Sequence, residues 1–191
     1  AALVWLGVRQ GRRGLVRCGL VLQAGAGLAF FSQAALPPGS LPLPDRVFLG
    51  CVLVAGAGLC SARWLEQDPD PALASRPRVI DLVLAWALGW WYAGGYCDLD
   101  WHLHWRDLSP AFLVFACLTA AALGPLARRL AWPRLAGALL LLLPLAWLAL
   151  AGQALPRGGV LLVGWGWLAW PLLFLLHFVL LRRCEPLLPA R

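Results

Sequence analysis

Six long apolar segments divide this chain, and they restrict its fold more than any other feature. They lie at about residues 16–34, 47–65, 79–97, 111–127, 135–154 and 159–181, and residues 1–8 resemble the end of an earlier span. A helix rising ~1.5 Å per residue over such a segment crosses, or nearly crosses, a ~30 Å hydrocarbon core. We therefore predict an all-α fold, a polytopic transmembrane helical bundle of about six spans, with residues 1–191 as a single transmembrane region.

The composition excludes an ordinary soluble domain. Of the 191 residues, 61% are hydrophobic and 13% are charged, whereas soluble domains have about 45–50% and about 25%. A soluble fold would have too little polar surface to cover itself, so the lipid bilayer is the predicted partner. The chain contains no Met and opens on the apolar sequence AALVWLGV. We expect a fragment of a longer chain, whose further transmembrane helices would be additional partners.

The 16 basic residues are all Arg, and they alternate between loops. An exclusive use of Arg is typical of very GC-rich coding sequences and favours a bacterial source. Four Arg lie in residues 9–17, one in 35–46, three in 63–78, one in 98–109, three in 128–134, one in 155–158 and three in 182–191. By the positive-inside rule, the Arg-rich loops and both ends are cytoplasmic in a bacterial inner membrane. Topology thus explains the net charge of +7, and no nucleic-acid partner is predicted.

Two similar segments of small residues occur in the first two spans, LQAGAGL at 22–28 and LVAGAGL at 53–59. Small residues let helix backbones approach closely in a membrane. The segments predict helix packing through Gly25, Gly27, Gly56 and Gly58, with Gly25 and Gly56 at the contact of a tight antiparallel hairpin. A substrate groove lined by these glycines is the alternative.

Polar residues are scarce inside the predicted spans. No Asp, Glu or Arg lies near the centre of a span, so ion-coupled transport has little support from this sequence. Gln23 is the one strongly polar residue near a centre, and we expect an interhelical hydrogen bond to satisfy it. The six Cys show no CxxC spacing, which indicates small apolar residues rather than a disulfide or zinc framework.

The stretch GWWYAGGYCDLDWHLHWRDLS at residues 89–109 is the candidate site, and it holds Asp98, Asp100, His102 and His104. We expect it to continue the third span helically to Asp107, because an unpaired strand would leave backbone groups without partners in lipid. Asp98 and His102 would then share a face. Three interpretations stay open: the polar end of a membrane helix, a ligand or metal site, or a catalytic site. We assign no catalytic residue, metal or cofactor.

The segment WALGWWYAGGYCDLDWHL resembles a recurrent feature of large bacterial membrane proteins grouped as domain of unknown function 2339. That feature is a Trp-rich span that ends in an acidic residue, an aliphatic residue, Asp, any residue and His-Leu. Residues 98–100 and 102–103 fit it, with Asp98 where Glu is more usual. The resemblance implies a longer chain with many more spans, and it implies no activity.

These observations predict an integral inner-membrane protein, a scaffold or transport-related part of the bacterial cell envelope. The alternative is a membrane-embedded enzyme that acts on lipid or glycan substrates at the periplasmic face through residues 98–104.

Overall fold

A computed structural model describes residues 1–33, 46–67, 77–154 and 165–187. Within these ranges the chain forms helices and no strands, which confirms the all-α class. The elements are α1 (Ala2–Arg9), α2 (Arg13–Gln33), α3 (Arg46–Glu66), α4 (Pro77–His102), α5 (Trp105–Arg129), α6 (Pro133–Ala154), α7 (Gly166–Cys184) and a short 3-10 helix, Glu185–Leu187. Each predicted apolar segment corresponds to one of α2 to α7, although residues 159–164 lie outside the described ranges.

Four helical segments are long and apolar enough to cross a membrane. They are Arg13–Ser32, Arg46–Glu66, Arg106–Arg129 and Gly166–Leu187. Large apolar side chains point outward from these helices, including Val21, Leu53, Leu118 and Phe178. Such exposure is unfavourable in water at roughly 25 cal/mol per Å² but costs nothing in lipid. The membrane character of the chain is thus supported, while α4 and α6 fall outside this set and the count of about six spans is not confirmed.

The turn between α1 and α2 is fixed by a left-handed glycine. Gly11 has a φ of +63°. This geometry lets the Arg12 N–H donate to the carbonyl of Gly7 at 2.9 Å, and the Gly11 N–H donate to the carbonyl of Val8 at 3.2 Å. The pair of bonds is the Schellman motif, which satisfies carbonyls that a helix end leaves without partners. The next helix begins only two residues later, so α1 and α2 form a short hairpin.

The turn between α5 and α6 uses the same motif without a glycine. Ala131 has a φ of 45°, and the Trp132 N–H donates to the carbonyl of Ala127 at 2.8 Å. Pro133 then opens α6, at a position where its missing N–H would have had no helical partner. Trp132 is buried at this turn, whereas Ala131 is exposed.

The junction of α4 and α5 differs in part from the prediction. Residues 98–102 are helical as expected, and the Leu103 N–H still donates to the carbonyl of Leu99 at 2.9 Å. The helix does not continue to Asp107, however, because His104 has an extended backbone and caps the start of α5. Trp101 and Trp105 therefore belong to different helices, and the prediction of one continuous helix to Asp107 is wrong.

The helices group into two compact units, Ala1–Asp98 and Leu99–Arg191, with the division inside α4. In the first unit, α1 and α2 approach each other more closely than any sequence motif indicated. A Cβ atom on Gly7 would lie 2.7 Å from the backbone N of Val16, and one on Gly19 would lie 2.9 Å from the backbone N of Val4. These two reciprocal contacts fix α1 against the first half of α2.

Within the same unit, α4 packs into hollows that glycines leave on α2 and α3. A Cβ atom on Gly27 would lie 2.6 Å from Cζ2 of Trp86, and one on Gly58 would lie 2.7 Å from Cβ of Ala87. Aromatic contacts extend this packing, since the ring of Trp90 lies 5.8 Å from that of Phe30. The second glycine of each AGAG segment thus contacts α4.

The structure differs from the prediction at Gly25 and Gly56. Nothing lies within 4 Å of the position that a Cβ atom would take on either residue. Residues two positions apart on a helix lie about 200° apart around its axis, so Gly25 and Gly27 face nearly opposite directions. The close approach therefore occurs at Gly27 and Gly58, on the side occupied by α4.

In the second unit, α5 packs against α6 and α7. The core contains the fully buried side chains of Leu113, Leu135 and Leu139. Between α6 and α7, the rings of Trp147 and Trp170 meet edge to face at 6.0 Å, as aromatic pairs favour. Trp147 and Trp170 thus form an aromatic contact between these two helices.

Candidate functional site

Asp98 and His102 lie on the same face of α4. The helix continues through both residues, and a separation of four residues places side chains one above the other. Both side chains are half-buried, whereas Asp100, between them in sequence, is exposed. The helical backbone therefore separates Asp100 from the Asp98–His102 face.

His104 has a different role. It is the N-cap residue of α5, with φ −67° and ψ 144°, and its Nδ1 accepts a hydrogen bond from the backbone N–H of Arg106 at 3.4 Å. This distance is longer than is usual for such bonds, but the bond uses one of the donors that a helix start leaves without a partner. His104 contributes to the geometry of the turn rather than to the face that carries Asp98 and His102.

The chemistry open to this stretch is accordingly narrow. In the parts of the chain that the structure describes, no group of three or more His, Cys, Asp or Glu side chains is placed to hold a metal ion. An Asp and a His in successive turns of one helix form a unit that can position a proton at an imidazole nitrogen. The stretch thus offers one carboxylate–imidazole face, and its other two candidate residues lie elsewhere.

A second polar cluster lies between helices in the first unit. The Ser61 hydroxyl of α3 donates to Oε1 of Gln23 of α2 at 3.0 Å, and Ser61 is completely buried. The prediction that an interhelical hydrogen bond satisfies Gln23 is confirmed for this oxygen. In the same unit, two donor atoms are buried without a hydrogen-bond partner among the described residues, Nε2 of Gln23 and Nε1 of Trp86.

Neither Ser61 nor Trp86 was predicted as a member of a polar cluster, although the sequence holds a signal for Ser61. Gln23 precedes Gly27 by four residues, and Ser61 follows Gly58 by three. In each helix a polar residue thus lies one turn from the glycine that receives α4, on the same face. Trp86 carries no signal for a polar role, because its position deep in an apolar span predicts only packing between helices.

No protein-family model, curated protein or solved structure matches this chain.

Proposed function

We propose that this chain is the membrane part of a larger bacterial inner-membrane protein that crosses the bilayer six times with both ends in the cytoplasm. Its role is that of a scaffold in the cell envelope, to which further transmembrane helices of the same longer chain attach. The resemblance to domain of unknown function 2339 belongs to the same proposal, because that family consists of long chains with many spans.

The distribution of Arg over the helix ends carries this proposal. The ends assigned to the cytoplasm carry Arg9, Arg13, Arg63, Arg78, Arg128, Arg129, Arg134, Arg182 and Arg183. The opposite ends carry only Arg46 and Arg106 within the described helices. Cytoplasmic loops of membrane proteins have this excess of basic residues, and losing or adding one span would break the alternation.

The uncharged centres of the predicted spans favour a scaffold over an ion-coupled transporter. Coupled transport generally needs an ionisable side chain near the middle of the bilayer, where a charge costs on the order of 2.5–3.5 kcal/mol to insert. The centres of the predicted spans contain no Asp, Glu or Arg. The completely buried polar side chain between α2 and α3 is a neutral serine, Ser61.

Membrane fractionation tests the proposed location. The full-length protein is expressed in a bacterial host, inner and outer membranes are separated by density, and the inner-membrane fraction is washed with alkaline carbonate. The protein is expected in that fraction and remains there after the wash, because its apolar helices are held by the lipid core. Release by carbonate, or recovery in the outer membrane, would contradict the proposal.

The half-buried Asp98–His102 face favours one alternative, a membrane-embedded enzyme that acts on lipid or glycan substrates at the periplasmic face. Asp98→Asn and His102→Ala test it in the full-length protein, with His104→Asn as the matched control because Asn also caps helices well. The readout is growth of the host under envelope stress at equal protein amounts. The scaffold proposal predicts wild-type growth for all three variants, whereas loss of growth in the first two alone would favour the enzyme.

A further inference from the structure

Two buried donors in the first unit have no acceptor among the residues that the structure describes. They are Nε2 of Gln23 and Nε1 of Trp86, and both atoms are shielded from solvent. A buried polar group without a partner typically costs about 1–3 kcal/mol. Each such group in a native structure therefore calls for an acceptor.

The two donors belong to one contact region. The Trp86 ring lies against Gly27, which follows Gln23 by one turn on the same face of α2. A Cβ atom on Gly58 of α3 would lie 3.3 Å from Nε2 of Gln23 and 2.7 Å from Cβ of Ala87, the neighbour of Trp86. α2, α3 and α4 therefore converge here, and Ser61 completes the polar lining through its bond to Gln23.

The charge of the lining defines what this region would bind. Gln23, Ser61 and Trp86 carry no charge, and both orphaned atoms are N–H donors, so binding a cation would leave both of them without an acceptor. An anion would lose its hydration without meeting a positive charge, which is strongly unfavourable in an apolar interior. A neutral oxygen with free lone pairs meets both requirements.

We propose that Gln23, Ser61 and Trp86 form a binding site, between α2, α3 and α4, for one neutral oxygen acceptor that receives hydrogen bonds from Nε2 of Gln23 and Nε1 of Trp86. A water molecule fits this chemistry near the middle of a span, and the ester carbonyl of a phospholipid is the second source that the experiment distinguishes. Buried water typically makes about three hydrogen bonds, and a carbonyl oxygen accepts two. The site does not depend on the scaffold proposal.

Nuclear magnetic resonance of the indole N–H tests the site directly. The full chain is labelled with ¹⁵N at the Trp indoles in dodecyl maltoside, a detergent without carbonyl groups, and the Trp86 signal is assigned by its loss in Trp86→Phe. Bound water is expected to give a cross-peak between this N–H and water in detergent alone. A lipid carbonyl is expected to shift the signal only after ester-linked phospholipid is added, and not after ether-linked phospholipid. If the Trp86 signal shows neither the water cross-peak nor the lipid-dependent shift, the proposal is overturned.

A double-mutant cycle gives a second test, because two donors that bind one oxygen must be energetically coupled. Trp86→Phe removes the donor and keeps an aromatic ring, and Gln23→Leu removes the other donor. If both bind one oxygen, Trp86→Phe lowers the unfolding temperature several degrees more in the wild-type chain than in Gln23→Leu. The control is Trp147→Phe in the other unit, which should lower it equally in both backgrounds.

Additive effects of Gln23→Leu and Trp86→Phe would overturn the proposal. A structure in which the Gln23 amide is turned, so that its oxygen accepts directly from Nε1 of Trp86, would overturn it as well. Trp86 would then have an acceptor within the chain, and no bound oxygen would be needed.

Discussion

Gly11 and Ala131 occupy the same backbone position in two turns, but only one of them is glycine. Both have positive φ, at 63° and 45°, and each is the left-handed residue of a Schellman motif. An L-residue with a Cβ atom pays roughly 1–2 kcal/mol for the left-handed conformation, whereas glycine adopts it freely. Ala131 therefore holds strain that Gly11 avoids.

The first prediction uses these two residues as a reciprocal pair. Ala131→Gly should raise the free energy of unfolding by about 1 kcal/mol, and Gly11→Ala should lower it by about 1 kcal/mol. Neither change alters packing, because Ala131 is exposed and nothing lies within 4 Å of the Cβ position of Gly11. Thermal unfolding in detergent measures both, and shifts of the same sign would contradict the shared backbone geometry.

Contacts between helices depend on a few glycines, and the second prediction concerns α1 and α2. A Cβ atom on Gly7 or Gly19 would meet the backbone of the other helix at less than 3 Å, so the helices must move apart. Gly7→Ala and Gly19→Ala should each lower stability by about 1–3 kcal/mol, the usual cost of overpacking. Gly25→Ala is the control: its surroundings are open, and alanine favours the helix by up to about 1 kcal/mol. Equal tolerance of all three would contradict this contact.

The third prediction separates the two glycines of each AGAG segment. Gly27→Ala should displace the Trp86 ring and Gly58→Ala should press on Ala87, so both should lower the unfolding temperature by several degrees. Gly25→Ala and Gly56→Ala should leave it unchanged or raise it, because nothing lies near either Cβ position. The same measurement in detergent covers all four variants. If Gly25→Ala and Gly56→Ala lowered the unfolding temperature instead, the close contact would lie between α2 and α3 at these two glycines, and the prediction would be contradicted.

At the scale of helices, the sequence predicted which segments are helical better than it predicted which helix faces contact one another. Long apolar segments must become helices, since lipid leaves no alternative for backbone groups. The helical course of residues 98–102 followed from the same argument. The sequence could not show which face of a helix meets a neighbour: Gly25 and Gly27 look equivalent in the chain and face opposite sides. The cap at His104 was also hidden, because histidine is an uncommon N-cap residue.

For the whole molecule, the central claim is that Arg distribution orients the helices. The claim connects single residues to topology, because each Arg resists transfer across the membrane and the sum over loops decides which side stays inside. In this proposal the net charge of +7 follows from the topology. The Asp98–His102 face would then lie at the outer surface, and the turns at Gly11 and Ala131 would lie at the inner surface.

Cysteine accessibility tests this claim most directly. Single cysteines at Ser40, Arg157 and Gln10 are placed in a chain whose native cysteines have been replaced, and spheroplasts are treated with a membrane-impermeant maleimide. Ser40→Cys and Arg157→Cys should react in intact spheroplasts, and Gln10→Cys should react only after the membrane is permeabilised. Reaction of Gln10→Cys in intact spheroplasts, or protection of either of the other two, would contradict the proposed topology.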